Sequence, residues 1–260
     1  MGYLLKFLMW AQYISIFVFG LVIGSFLNVV VYRVPRNQSI IKPPSHCPVC
    51  NAKLKWYDMV PVLSYILLKG RCRYCGAKIS LKYPFVELLT GITFLLIFQK
   101  FNWSIQFLKW IIFTGLLISV GLIDLLNGVV PDVIVVPGLV IGLIFSIFGG
   151  SGSILQSIYG LGIIGGFFLI VIILSRGGMG WGDLTFGMMI GSFLGLELSL
   201  LTLLIAFVSG AIVGLIALAV KKKSRKDPIP FGPFLSFAAF VASIYGYEIL
   251  KMYFKIMHFS

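Results

Sequence analysis

Acid is scarce in this chain. Of 260 residues only eight are Asp or Glu, against 21 Lys and Arg, and charged residues of both signs make up 11%. Soluble domains carry about 25%. Hydrophobic residues reach 59%, and the mean hydropathy is +1.04. A single soluble core is therefore excluded, and the bilayer is the main solvent. There each backbone must close its own hydrogen bonds, in helices of about 20 apolar residues. Low-complexity stretches and obvious internal repeats are also missing, as is a glycine-rich fingerprint for a dinucleotide fold. The net charge of +13 comes with no recognisable nucleic-acid-binding module. No nucleic acid is expected, and the basic excess reads as orientation signal and attraction to membrane lipid headgroups. A cleavable signal peptide is excluded too: only Lys6 precedes the first apolar run, which continues into Val30-Val31-Tyr32-Arg33 without a small-residue cleavage site.

What is present is a series of apolar segments. Eight spans are expected, at about 11–32, 84–99, 106–124, 132–149, 154–175, 184–196, 198–220 and 231–256. The fold class is all-α: a polytopic membrane protein with about eight transmembrane helices and one soluble loop. Three regions follow: a first transmembrane helix at 1–32, a loop at 33–83 and a membrane core at 84–260. Residues 33–82 carry ten Lys and Arg; Arg176 and five more at 221–226 fall in other loops. The positive-inside rule puts these loops, and that at 124–132, on the cytosolic side. Both termini and the turns at 100–105, 150–153 and 197 then face outward. The run from Lys221 to Lys226 reads as an inside anchor.

All four cysteines lie in the soluble loop, as Cys47-Pro-Val-Cys50 and Cys72-Arg-Tyr-Cys75. Two such pairs make a four-thiolate tetrahedral shell for structural Zn2+, with Gly76 permitting the turn after the second. The loop has few apolar residues of its own, so metal would supply much of its folding energy. Thiols facing the cytosol stay reduced, which argues against disulfides. Four thiolates leave no open coordination position, so the metal is structural. His46 reads as an ordinary loop histidine.

Two of the rare acids stand at segment ends. Asp124 closes the third span and Asp183 opens the sixth, after Gly180-Trp181-Gly182. The derived topology puts both at the cytosolic edge. A carboxylate at a helix C-terminus faces the negative end of the dipole, so a purely structural Asp124 is disfavoured. Asp183 could cap its own helix, but Gly180 and Gly182 point to a tight backbone that something approaches closely. By the dipole argument Asp183 is the ionised partner and Asp124 the protonated one. One then takes a proton from water while the other polarises a scissile carbonyl. Asp132, after Pro131, reads as a helix cap. Pro230 and Pro233 around Gly232 interrupt the start of the last span, and irregular backbone at that depth belongs beside a site.

These blocks together resemble the bifunctional type IV prepilin peptidases, the leader peptidase/N-methyltransferases among the GxGD membrane aspartyl proteases. Gly24 to Pro35 looks like the segment leading into that family's loop. The cysteines match its zinc-binding form, and Tyr83-Pro84-Phe85-Val86-Glu87 looks like the start of its second helix. Asp124 with Pro131-Asp132, Gly180-Trp181-Gly182-Asp183, and Pro230-Phe231-Gly232-Pro233 follow in order. The resemblance implies catalytic Asp124 and Asp183, with Gly180, Gly182, Pro230 and Gly232 as supporting backbone. It implies type IV prepilin or pseudopilin substrates, cut at the cytosolic face of the bacterial inner membrane. It also implies N-methylation of the new terminus by S-adenosylmethionine. Weak candidates for holding that donor are Glu87, Asn28 and Arg33. Their ordinary roles would be a first-turn charge, a helix–helix hydrogen bond and a side chain snorkelling to headgroups. Association into a homo-oligomer stays open. The rival readings are a leader peptidase without methylation, an ion-coupled transporter and a non-catalytic scaffold. The transporter would want midplane acids and a repeat, and the scaffold gives no reason for paired acids.

Overall fold

The computed structural model describes residues 2–148, 154–175, 178–220 and 229–257. Eight helices are described: α1 Gly2–Arg33, α2 Leu63–Leu67, α3 Lys82–Phe101, α4 Ile105–Asn127, α5 Asp132–Phe148, α6 Ile154–Leu174, α7 Trp181–Ala219 and α8 Gly232–Met257. Six of these are long and apolar enough to cross a membrane, and α5 is a shorter apolar helix. The only extended pairings among the described residues are two isolated bridges in the loop, His46 with Lys53 and Arg71 with Lys78. Position 176 and the lysine run at 221–226, both used in the orientation argument, lie outside the described residues, as does the turn at 150–153.

By contacts the chain forms two compact units, Met1–Phe107 and Leu108–Ser260. In the first unit, α1 packs on α3 through glycine. A Cβ at Gly20 would come within 2.7 Å of the Gly91 Cα, and one at Gly24 equally close to the Glu87 Cα. Gly20 and Gly24 are four residues apart, on one face of α1. Small residues at this spacing let helix backbones touch in lipid, where apolar burial drives no association. Asn28 adds the expected interhelical bond, donating from Nδ2 to the Tyr83 carbonyl at 3.1 Å.

In the second unit, two expected spans, the sixth and seventh, form one 39-residue helix, α7, interrupted at Gly195. A straight helix of that length would run about 58 Å, nearly twice the hydrocarbon core. The packing shows that the chain turns back. Gly187, in the first arm, receives the Ile164 and Phe168 side chains of α6, and Gly191 and Gly195 lie against the Gly160 backbone. Leu198 and Leu201, just past the break, reach Gly246, near the middle of α8. Farther along, Phe207 packs on Phe167 and Phe231, and Gly210 sits beside Phe231 and Phe234. Phe168 also meets Phe231. Gly187 and Phe207 are thus both level with the start of α8, while the break at Gly195 is level with its middle. The eight expected segments correspond to α1, α3, α4, α5, α6, the two arms of α7, and α8. The expected break at 197 falls at Gly195.

Gly195 has φ 74° and ψ −176°, a region essentially closed to side-chain-bearing residues. An added Cβ would meet nothing nearer than 3.5 Å, so backbone strain rather than collision is the cost. Gly195→Ala should therefore destabilise the fold by about 1–3 kcal/mol. Thermal unfolding in detergent reads this as a midpoint lowered by about 2–4 °C per kcal/mol; an unchanged midpoint would show that the reversal does not depend on glycine there.

Candidate active site and metal site

In the second unit the site assembles at the end of α4. The helix closes with the Gly128 N–H donating to the Asp124 carbonyl at 2.8 Å, Gly128 in the left-handed conformation (φ 67°). This leaves the Asp124 side chain on the last turn, 6% exposed. α8 runs antiparallel to α4 and meets it at three levels. Ser236 Oγ donates to the Leu117 carbonyl at 2.9 Å, Gly121 lies against Ser236, and Gly232 N–H donates to Asp124 Oδ2 at 2.7 Å. A Cβ on Gly232 would stand 2.7 Å from that same oxygen. Glycine is what lets the first residue of α8 come this near the carboxyl.

Here the dipole argument is corrected. It considered only the C-terminus of α4, whereas the Asp124 carboxyl faces the N-terminus of α8. The positive end of one helix offsets the negative end of the other, so dipoles no longer assign protonated and ionised roles to the pair.

Asp183 lies in the first turn of α7, whose N-cap is Gly180. Its N–H donates to the Gly180 carbonyl at 3.1 Å, and its carboxyl turns back toward the Gly180 backbone. This is one half of a capping box: the acid inside the helix reaches back to the cap residue, and Gly180 has no side chain to return the bond. Gly180 is ordinary extended backbone (φ −78°), so the expected unusual conformation is absent there. Gly182 is needed for a different reason: a Cβ would stand 2.6 Å from the Val130 Cβ. Val130, which the sequence did not single out, seats this turn against the segment after α4. Thr185 Oγ1 donates to Asp132 Oδ1 at 3.0 Å, so Asp132 ties α5 to α7 instead of serving as the expected cap. The Asp124 and Asp183 carboxyls lie close enough for their charges to interact. Two acids, Asp124 buried and held by α8 and Asp183 half-buried and held by its own helix turn, can share a proton and handle a water between them. Phe231, packed on Phe168, Phe207 and Phe234, anchors the strand of chain that carries Gly232. Pro230 precedes it, half-buried.

In the first unit the four cysteines converge. Their sulfurs all lie within 4.8 Å of one another, with Cys47 and Cys75 Sγ 3.9 Å apart. The two knuckles are built alike. Cys47 N–H donates to the Ala52 carbonyl and Asn51 N–H back to Cys47; Cys72 N–H donates to Ala77 and Gly76 N–H back to Cys72. Asn51 (φ 57°) and Gly76 (φ 71°) make the matching left-handed turns. The first turn thus uses Asn where the second uses Gly. Backbone N–H groups of Cys50 and Val49 hold Cys47 down, to about 6 against burial. At Cys75 an N–H from Ala77 is outweighed by desolvation and the other thiols, which push it up to about 12. Four thiols so close cannot all ionise without a cation, and Zn2+ suits this donor set. Arg73 and Tyr74, inside the second knuckle, both grip Asp58, at 2.7 and 2.9 Å. Burial alone would raise the Asp58 carboxyl, yet these bonds and the Lys55 N–H hold it below the usual range. His46 sits near the Pro44 carbonyl and is not among the clustered ligands.

The three weak candidates meet on one cavity of about 770 Å3. It lies between the knuckles and the loop-proximal ends of α1 and α3, and Asn28, Arg33 and Glu87 all line it. Arg33 does not snorkel: it is buried, and its Nη1 donates to the Ser39 carbonyl at 2.9 Å. Glu87 is no simple first-turn charge either. Its Oε2 accepts the Val62 N–H at 2.7 Å, closing the N-terminus of α2.

A polytopic helical membrane protein with an acid pair at the ends of its helices is the class that this fold and geometry define. Comparison narrows it. The bacterial Peptidase A24 N-terminal domain matches residues 18–101, and the type IV leader peptidase family matches residues 111–215. The chain is similar to the prepilin leader peptidase/N-methyltransferase of Pseudomonas aeruginosa, 32% identical over 93% of each chain. The protein of that name from Bacillus subtilis is 32% identical over 93% of this chain and 97% of its own. The one from Myxococcus xanthus is 37% identical over 79% of this chain but only 63% of the relative. No solved structure matches. The chain belongs to the type IV leader peptidase family.

Purified protein should carry one zinc per chain by elemental analysis, lost in Cys47→Ser or Cys72→Ser. Affinity should fall as pH falls, because each thiolate that takes up a proton leaves the metal. Competition with a chromogenic chelator should show about tenfold weaker binding or more at mildly acidic than at neutral pH. A pH-independent affinity would contradict a thiolate site.

Proposed function

We propose that this protein cleaves the leader peptides of type IV prepilins or pseudopilins and then N-methylates the newly exposed terminus. The proximity of Asp124 and Asp183 carries the peptidase reading, and membership of the leader peptidase family supports it. Asp124 and Asp183 are the catalytic pair. One carboxylate removes a proton from water. The other, protonated, donates to the scissile carbonyl, so that hydroxide adds to carbon as the carbonyl oxygen gains a proton. Collapse expels the amine, protonated by the acid that took the water's proton, while the other carboxylate takes back the proton it gave to the carbonyl oxygen. Gly232 positions Asp124, and Gly182 seats the turn that carries Asp183; Gly180 and Pro230 complete the supporting backbone.

The methyltransferase half is supported by the name shared by the relatives. S-adenosylmethionine supplies a methyl group on sulfonium sulfur to a neutral amine. Zn2+, held by Cys47, Cys50, Cys72 and Cys75, fixes the loop and takes no part in the chemistry. The orientation follows from the basic loops: the zinc loop and both aspartates face the cytosol, in a bacterial inner membrane.

With a prepilin in reconstituted membranes, Asp124→Asn and Asp183→Asn should each reduce cleavage by about 10³-fold or more, since removing either acid disables the pair. Gly232→Ala should cost about tenfold or more by displacing Asp124, with zinc content unchanged. Near-normal processing by either aspartate variant would overturn the peptidase reading. An unmethylated mature terminus, read by mass spectrometry, would remove the second activity alone.

A further inference from the structure

The cavity in the first unit is unassigned by the leader-cleavage chemistry, and it is built as a small-molecule site. At about 770 Å3 it falls within the range of ligand pockets, about 300–1,000 Å3. Its polar groups are sorted by sign. Of the two carboxyls on the wall, Asp58 is held by Arg73 and Tyr74, whereas Glu87 has no cationic partner among the described ion pairs. Glu87 is 7% exposed and lies with Ser25 and Asn28 where α1 and α3 cross. Arg33, Lys42 and Lys78 are the cations on the wall that carry no acidic partner among the described ion pairs. Tyr32, Tyr65, Tyr74 and Tyr83 supply aromatic surface.

We propose that this cavity binds the methyl donor, with the Glu87 carboxylate facing the donor's cationic groups. This rests on the methyltransferase reading above. A basic leader peptide is a poor occupant, because the cations would repel it. A phosphate or anionic lipid headgroup is poor for the opposite reason, since it would have to sit near buried Glu87. S-adenosylmethionine carries both signs. Its sulfonium and ammonium suit Glu87 and the tyrosine faces, its carboxylate suits the cations, and its adenine suits an aromatic wall. Glu87 keeps acceptor capacity for this, because bonds from the Val62 N–H and the Ser25 hydroxyl use only part of a carboxylate's about four lone-pair sites.

The same residue fixes the wall. Val62 has φ 60° and ψ −49°, a conformation that β-branched residues avoid. The bond from its N–H to Glu87 holds this turn, next to the wall residues Met59 and Ser64. Cys47 and Cys72 line the cavity as well. The metal site thereby shapes the pocket without touching the chemistry.

The test is direct binding of radiolabelled S-adenosylmethionine to the full-length, zinc-loaded protein in detergent, together with photocrosslinking of an azido-adenine analogue. Crosslinks are expected in residues 25–33 or 58–87. Glu87→Gln, which keeps an acceptor for Val62, should weaken binding at least tenfold. Ala77→Phe, which fills the cavity, should do the same, with zinc content and melting midpoint retained in both. Donor binding at wild-type strength in both variants, or crosslinks confined to residues 108–260, overturns the cavity assignment while leaving the methyltransferase reading intact. No donor binding by the wild-type protein, together with an unmethylated product, overturns both.

Discussion

The hydrogen bond from Gly232 N–H to Asp124 is the contact on which the proposed peptidase site depends. Bilayer cores provide no water to satisfy a stray carboxyl or an open helix end. Here the two needs cancel: α8 begins with an unpaired N–H, and α4 ends with an acid. Glycine alone permits it, because the space a Cβ would occupy is the space taken by the carboxyl oxygen. The flanking contacts, Ser236 to Leu117 and Gly121 against Ser236, hold the helices at this separation.

The same rule organises the helices elsewhere. At several close contacts between the described helices a glycine or a small hydroxyl residue is present. Gly20 and Gly24 seat α3, Gly187 and Gly191 seat α6, and Gly142 meets Ser192. Lipid competes with apolar side chains on equal terms, so affinity between helices comes from close packing and from polar contacts. The reversal at Gly195 belongs to this pattern. The glycine ladder at 187, 191 and 195 brings the first arm of α7 onto α6, and its last member also opens the backbone.

Spans, knuckles and the acid pair were legible in the sequence because each is written locally: in composition, in a four-residue spacing, or in two acids where acids are rare. What was not legible came from partners far along the chain. Nothing near Asp124 announces that Gly232, 108 residues away, will neutralise the dipole argument. Arg33 looked like a headgroup anchor because its partner, Ser39, is a backbone carbonyl and so carries no side-chain signature. Glu87 looked like a first-turn charge because the N–H it accepts belongs to Val62, in the soluble loop. The glycine spacings were readable, since 20 and 24, and 187, 191 and 195, each recur every fourth residue on one face.

The two units solve different problems with the same shortage of acid. In the second, two carboxyls are brought together so that repulsion between them makes a proton shareable. In the first, Asp58 and Glu87 are kept apart from each other and spent on different partners: Asp58 on the side chains that brace a knuckle, Glu87 on a backbone turn and the floor of a cavity. A buried acid that accepts bonds from a backbone N–H and a serine hydroxyl, and shares its cavity with tyrosines, keeps lone pairs with which to attract a cation. That difference separates a carboxyl suited to proton transfer from one suited to holding a positively charged ligand, and it gives one small chain room for two reactions.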